Sequence, residues 1–137
     1  MQTVANTAST LPITTFPITT LPTIAFDNTY ARDLAGFYVA MPPARVPAPK
    51  LAWFNTELAD ELGLDARVWT SPEAAHVWAG NVVPDGAQPI AQAYAGHQFG
   101  GFSAQLGDGR ALLLGEVIDR HGHRRDIAFK GSGRTPF

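Results

Sequence analysis

The sequence predicts an α+β fold built around a small antiparallel sheet, and three observations carry that reading. The apolar run 111–118, the turn Asp119-Arg-His-Gly122 and the alternating stretch 126–130 form a hairpin pattern, with Ile127 and Phe129 on one face. Leu51, Phe54, Leu58 and Leu62 follow one another at offsets of 3, 4 and 4, the spacing of one helical face. Ser71-Pro72-Glu73 supplies a capping hydroxyl, a proline suited to the first helical position and an acid at the positive helix end.

The 137 residues allow one domain, and 45% hydrophobic content is enough for a modest core. Residues 1–25 are uncharged and rich in Thr and Pro, with Pro-Ile-Thr-Thr at 12–15 and again at 17–20. Prolines at 12, 17 and 22 oppose helix and central strand, so this stretch reads as a disordered tail and 26–137 as the structured part. From 26 to 49 aromatics alternate with prolines, which predicts an irregular segment wrapped on a partner surface, with a short helix near 30–35. The 51–62 helix ends at Gly63, a natural C′ residue, and the second helix runs from 71 to near Gly80. Between 89 and 100 an Ala-rich first half reads as helical and the glycines that follow as loop.

Composition excludes several functions. The chain has no Cys, hence no disulfide framework, thiolate metal site or cysteine nucleophile. No apolar run approaches the ~20 residues of a membrane span, and the N-terminus lacks a basic signal region, so no membrane partner and a cytoplasmic location are expected. Net charge is −2, yet six of the ten Lys and Arg residues lie after position 105. Arg120, Arg124 and Arg125 cluster at the predicted turn. Because acids are interleaved and no reader motif is present, they read as a solvated hairpin tip, and no nucleic-acid partner is expected.

The chemistry concentrates in Gln105-Leu-Gly-Asp-Gly-Arg110 and Ile127-Ala-Phe-Lys130. Gly107 and Gly109 let backbone approach phosphate oxygens, and their amides can form an anion-binding concavity. Arg110 offers a fork of donors and Lys130 a point charge, with the small Ala128 on the lysine's face. A glycine loop followed by a lysine strand is the arrangement of a protein-kinase small lobe, although Leu112 stands where a third glycine would be. The bland alternative for Gly-Asp-Gly is a plain hairpin turn. His97 reads as a structural histidine bonded to loop carbonyls, and His121 and His123 as an exposed turn with no third metal ligand. Glu116 reads as a strand-surface acid able to pair Lys130, Asp108 as a turn former, and Trp53, Trp69 and Trp78 as packing residues.

The longer text is more specific. Ala91-Gln-Ala-Tyr-Ala-Gly-His-Gln-Phe-Gly100, Gln105-Leu-Gly-Asp-Gly-Arg-Ala111, Leu113-Leu-Gly-Glu116 and Lys130-Gly-Ser-Gly-Arg-Thr-Pro-Phe137 together resemble the selenoprotein O family, as do Phe26-Asp-Asn and Pro49-Lys-Leu-Ala-Trp-Phe-Asn55. The resemblance implies a kinase-like fold that binds ATP in reversed orientation and transfers AMP to Ser, Thr or Tyr hydroxyls of protein substrates. By motif, the nucleotide contacts fall on Gly107, Gly109, Arg110 and Lys130. The family's second Gly-Asp-Gly-Arg segment, its catalytic Asp and the Asn and Asp that hold Mg2+ (or Mn2+) would come after Phe137. No catalytic or metal residue is therefore assigned here, and the chain is expected to be the N-terminal, small-lobe part of a larger enzyme, inactive without its C-terminal lobe. Two other readings stand beside it: a non-enzymatic remnant that binds nucleotide or a partner protein, and a kinase-type phosphotransferase.

Overall fold

The computed structural model describes residues 21–137. The 1–25 tail reading thus lies largely outside the described residues; within 21–25, Ile24 is buried and Leu21 packs against the same cluster. The elements in chain order are helix α1 (Thr29–Asp33), strand β1 (Tyr38–Ala40), helices α2 (Thr56–Glu61), α3 (Ala66–Trp69) and α4 (Pro72–Trp78), then strands β2 (Ile90–Gln92), β3 (Tyr94–Gln98), β4 (Gly101–Leu106), β5 (Ala111–Ile118) and β6 (Arg124–Lys130). Among the described residues the strands form a four-stranded sheet in the order β1-β2-β5-β6 and a separate two-stranded ribbon β3-β4, all pairings antiparallel. The α+β class and the antiparallel hairpin at 111–130 are as the sequence predicts.

The helices start where capping chemistry allows. Ser71 accepts from the Ala74 amide at 3.1 Å, Pro72 opens α4, and the helix stops at Trp78, two residues before Gly80. Helix α2 differs from the predicted 51–62. It begins only at Thr56 because the Asn55 side chain accepts from the Leu58 amide at 3.0 Å, and a residue used as an N-cap cannot itself be helical. Leu58 is consequently exposed and Ala59 takes the inward position. The helix closes at Gly63, whose φ of +76° and amide bond to Asp60 O make it the expected C′ residue. Asp65 then caps the unanticipated α3, accepting from the Arg67 amide at 3.0 Å.

Residues 89–98 correct the helical reading of the Ala-rich half. Ile90 and Ala91 are buried in β2, which pairs β1 on one side and meets β5 at Ile90↔Leu113 on the other. Small residues on a strand covered by neighbours satisfy the sheet as well as a helix, so tertiary pairing overrides alanine's propensity. The aromatic segment 26–49 is likewise less irregular than predicted. It contributes α1 near the expected place and β1 at the sheet edge.

The main apolar cluster joins Ile24, Trp69, Ala74, Val77 and Val117. Trp69 and Trp78 pack with ring centroids 5.1 Å apart and planes tilted by 50°, and the Trp78 indole donates to Trp69 O at 2.9 Å. These two tryptophans pack as the sequence suggests, whereas Trp53 is exposed. Helices α3 and α4 therefore sit against the end of β5 that leads into the turn.

Residues 120–125 of that turn are exposed, as the sequence predicts, but the turn is anchored from beneath. Asp119, with its side chain fully buried, accepts from the amides of His121 (2.9 Å) and His123 (2.8 Å) and from Arg125 Nε (2.9 Å). Arg125 also reaches Glu61 at 2.7 Å, Arg120 grips Asp60 at 2.6 and 2.8 Å, and Arg124 pairs with Asp27. The three arginines tie β5-β6 to α2 and to the segment before α1. Their guanidinium donors are thus engaged by carboxylates, which leaves them poorly disposed to grip phosphates.

Burial works against ionisation of Asp119, but the His123 amide, the Arg125 guanidinium, the His121 amide and the nearby His123 ring together hold its pKa down at about 2, below the ordinary 3.8. A carboxyl whose pKa is lower in the folded state contributes stability that is complete above the unfolded value and disappears as pH falls through the folded one. An Asp119→Ala chain is expected to melt on the order of 10 °C below wild type at pH 7. The gap should narrow as pH falls from about 4 to about 2. A gap that stays constant over that range would show that the carboxylate charge contributes nothing.

Candidate functional site

Strands β5 and β6 pair along their length, with Ala111 opposite Lys130 and Ile118 opposite Arg124. The hairpin therefore has a closed end, at Asp119, and an open end. All four residues singled out for phosphate chemistry collect at the open end. Arg110 immediately precedes β5, Lys130 closes β6, and the Gly131 amide donates to Arg110 O at 2.7 Å, holding the two backbones side by side. Gly107 and Gly109 lie just upstream of Arg110, in the link from β4 to β5.

Because β4 and β5 belong to different sheets, Gly107-Asp-Gly109 is a crossing between sheets and not a hairpin turn. Gly109 takes φ +69°, a left-handed conformation that a residue with a Cβ adopts at a cost. Gly107 has no room for a side chain. A Cβ there would lie 2.5 Å from the Phe137 Cβ and 2.8 Å from its backbone carbon. The segment after β6 thus folds back over the loop, where the Gly109 amide donates to Phe137 O at 2.9 Å and the Thr135 amide donates to Gly109 O at 2.9 Å. The Gly109 amide, read from sequence as part of an anion-binding concavity, points here at a carbonyl.

The cations at the open end contrast with those at the closed end. Arg110 and Lys130 are exposed, and among the described residues neither has a carboxylate within salt-bridge distance. Burial alternates along β6 as the strand reading requires, with Ile127 and Phe129 turned inward and Ala128 and Lys130 outward.

Glu116 corrects its surface reading. It is 4% exposed, and one carboxylate oxygen accepts from the Thr29 hydroxyl and the Tyr30 amide, both at 2.7 Å. It opposes Asp126 in the ladder and serves the start of α1, not Lys130. His97 lies in β3, exposed, with its ring 5.2 Å from that of Phe102 and no loop carbonyl as partner among the described residues. His121 and His123 are exposed beside the turn. No group of three or more His, Cys, Asp or Glu among the described residues could hold a metal ion.

Two features of the site escaped sequence reasoning. The Tyr94 hydroxyl donates to the Asp108 carboxylate at 3.0 Å, and residues 135–137 clasp Gly109. Neither has a local spacing signal, since each joins positions brought together only by the fold.

Residues 20–137 match the family described as Protein adenylyltransferase SelO. The chain belongs to the SelO family. It is 64% identical over 115 residues to Protein nucleotidyltransferase YdiU of Cereibacter sphaeroides, which covers 84% of this chain and 24% of that relative. The protein of the same name from Rhizobium rhizogenes is 60% identical over 116 residues, covering 85% of this chain and 23% of the relative. The one from Chromobacterium violaceum is 67% identical over 95 residues, covering 69% and 20%. This SelO-family chain thus spans about a quarter of the length of the curated relatives it matches, and the Gly107–Lys130 region lies inside the matched stretch. No helix among the described residues is long and apolar enough to cross a membrane.

Proposed function

We propose that this chain is the nucleotide-gripping part of a protein adenylyltransferase, which moves AMP from ATP to Ser, Thr or Tyr hydroxyls of protein substrates with release of pyrophosphate. The match over residues 20–137 to a protein adenylyltransferase family carries this reading. The convergence of Gly107, Gly109, Arg110 and Lys130 at the open end of β5-β6 supports it. Under it, the four-stranded sheet is the small lobe of a kinase-like fold, Arg110 supplies a planar fork of donors to phosphate oxygens, and Lys130 supplies a compact ammonium. Gly109 supplies the left-handed backbone that carries the chain from β4 into Arg110, and Gly107 leaves room for the Phe137 segment that braces the loop.

Transfer to a hydroxyl needs more than these parts. The negative charge of the transition state has to be neutralised, and a base must orient the incoming hydroxyl. The described residues do not fit a magnesium site, since no cluster of suitable ligands is present among them, so no step is routed through a metal here. We therefore expect the 137 residues to bind ATP and to transfer nothing by themselves.

The test uses ATP labelled at the α- or the γ-phosphate, a mixture of protein acceptors, and both this chain and a full-length relative. The expected result is α-label on protein with the relative and none with the chain. γ-label on protein would replace adenylylation by phosphotransfer. Transfer by the chain itself above a Lys130→Ala control would overturn the division of labour.

A further inference from the structure

We infer that Tyr94 is a positioning residue for the glycine loop: its hydroxyl holds Asp108, the middle residue of Gly107-Asp-Gly109, and so fixes the backbone that leads into Arg110. The inference rests on the nucleotide-binding reading above and names a residue outside the four assigned to it.

Tyr94 opens β3 and faces Leu106, the last residue of β4, so its ring stands beside the point where the chain enters the loop. From there the phenol reaches forward to the Asp108 carboxylate at 3.0 Å. Each of the three loop residues then has its own tether. Gly107 packs on Phe137, Asp108 is held by Tyr94, and Gly109 exchanges backbone hydrogen bonds with Thr135 and Phe137. The last of these tethers is itself braced, because the Thr135 hydroxyl donates to the same Phe137 oxygen at 2.9 Å.

A segment with two glycines in three residues has much conformational freedom to lose. The loop also crosses between two sheets, so no ladder restrains it. Asp108 carries the only side chain in the loop that can bond a neighbour, and Tyr94 is its partner. The bond joins a carboxylate acceptor to a phenol, and such charge-assisted bonds are the stronger kind. In keeping with this, the bond to Asp108, with burial and the acid's charge behind it, pushes the Tyr94 pKa up. Both side chains are exposed, so the bond adds little to global stability. Its effect falls on the geometry of the loop and of Arg110 beyond it.

Tyr94→Phe and Asp108→Ala delete the bond from opposite ends, and Asp108→Asn keeps an Oδ1 acceptor for the phenol. The readouts are amide hydrogen exchange at Gly109 and Arg110 in the nucleotide-free chain, calorimetric titration with ATP, and the melting midpoint. Tyr94→Phe and Asp108→Ala are each expected to lower protection at the Gly109 amide several-fold and to weaken ATP binding roughly five- to tenfold. The double variant should lose no more than either single one, Asp108→Asn, which keeps the acceptor but not its charge, should fall between wild type and Asp108→Ala, and all melting midpoints should coincide. Unchanged exchange at Gly109 in Tyr94→Phe, or additive losses in the double variant, would overturn the assignment. If Tyr94→Phe does not fold, Asp108→Ala decides the same question from the solvent side. A wild-type chain that binds no ATP would defeat the proposed function, whereas the exchange data would still decide whether Tyr94 positions the loop.

Discussion

Truncating Lys130 to alanine is expected to weaken ATP binding by roughly 30- to 100-fold while leaving the melting temperature unchanged. The two halves of that result have separate causes. Lys130 closes β6 on its exposed face and has no carboxylate partner among the described residues, so its removal opens no cavity and strands no buried acid. Its ammonium is free to neutralise phosphate charge. In the proposed function it acts beside Arg110, whose backbone is held next to β6 by the Gly131 amide.

A matched control comes from the other end of the same hairpin. Arg124→Ala makes the same change in net charge, but Arg124 is already engaged with Asp27. ATP affinity should therefore be almost unaffected, and the melting temperature should fall by a few degrees. Calorimetric titration of wild type and both variants at low and at physiological salt separates a specific contact from bulk attraction, because bulk effects fade within a Debye length as salt rises. Equal losses of affinity in the two variants would remove the assignment of Lys130.

That pairing of free and engaged cations explains how much of the molecule could be read in advance. The β5-β6 hairpin was legible because its signal is local: an apolar run, a turn with Gly122 and an alternating strand. The Ser71 cap and the Gly63 stop were legible for the same reason, since capping involves residues within one turn. What could not be read depended on partners far along the chain. Glu116 looked like a surface acid because Thr29 and Tyr30, which bury it, precede it by more than 80 residues. Residues 90–92 looked helical because the strands that flank them come from 38–40 and 111–118.

The site divides along the same line. The four candidate residues were picked out by type and order, and the backbones at Arg110 and Lys130 lie together because the hairpin that joins them is local. Tyr94, Thr135 and Phe137 were present in the quoted motifs without a role. Their contacts to the loop exist only once β3, β5 and the segment after β6 converge. The arginines at the turn are exposed, as read, but their ion pairs could not be foreseen because the acids that hold them, Asp27, Asp60 and Glu61, lie 60 residues or more upstream.

Gly115→Ala is expected to cause the largest loss of stability of any single methyl added to the sheet, about 3 kcal/mol or more. Gly115 sits in the middle of β5, where the register with β6 shifts between Leu113 and Gly115. A Cβ built there would lie 2.5 Å from Asn28 Oδ1 and 2.5 Å from Phe26 Cδ1. These are not the loose ends of flexible chains. Phe26 is held by its bridge to Val117, and the Asp27 amide donates to Glu116 O at 2.8 Å. Asn28 is fixed by its own bond to Gly86 O at 2.6 Å.

A methyl at 115 would have to push this whole crossing segment away from β5. Lifting it would break the Thr29 and Tyr30 bonds to Glu116 and leave a carboxylate buried without donors, which costs more than the methyl's own contacts can return. Chemical denaturation of the Gly115→Ala chain should show a lower midpoint. Amide exchange should localise the damage to 26–30 and to 115–117 before it reaches the helices. Gly122→Ala serves as the comparison, because the turn glycine has φ +82° but open space around it, so only its backbone preference is lost. If Gly115→Ala costs no more than Gly122→Ala, the close passage of Phe26 and Asn28 over β5 is not what holds the N-terminal segment to the sheet.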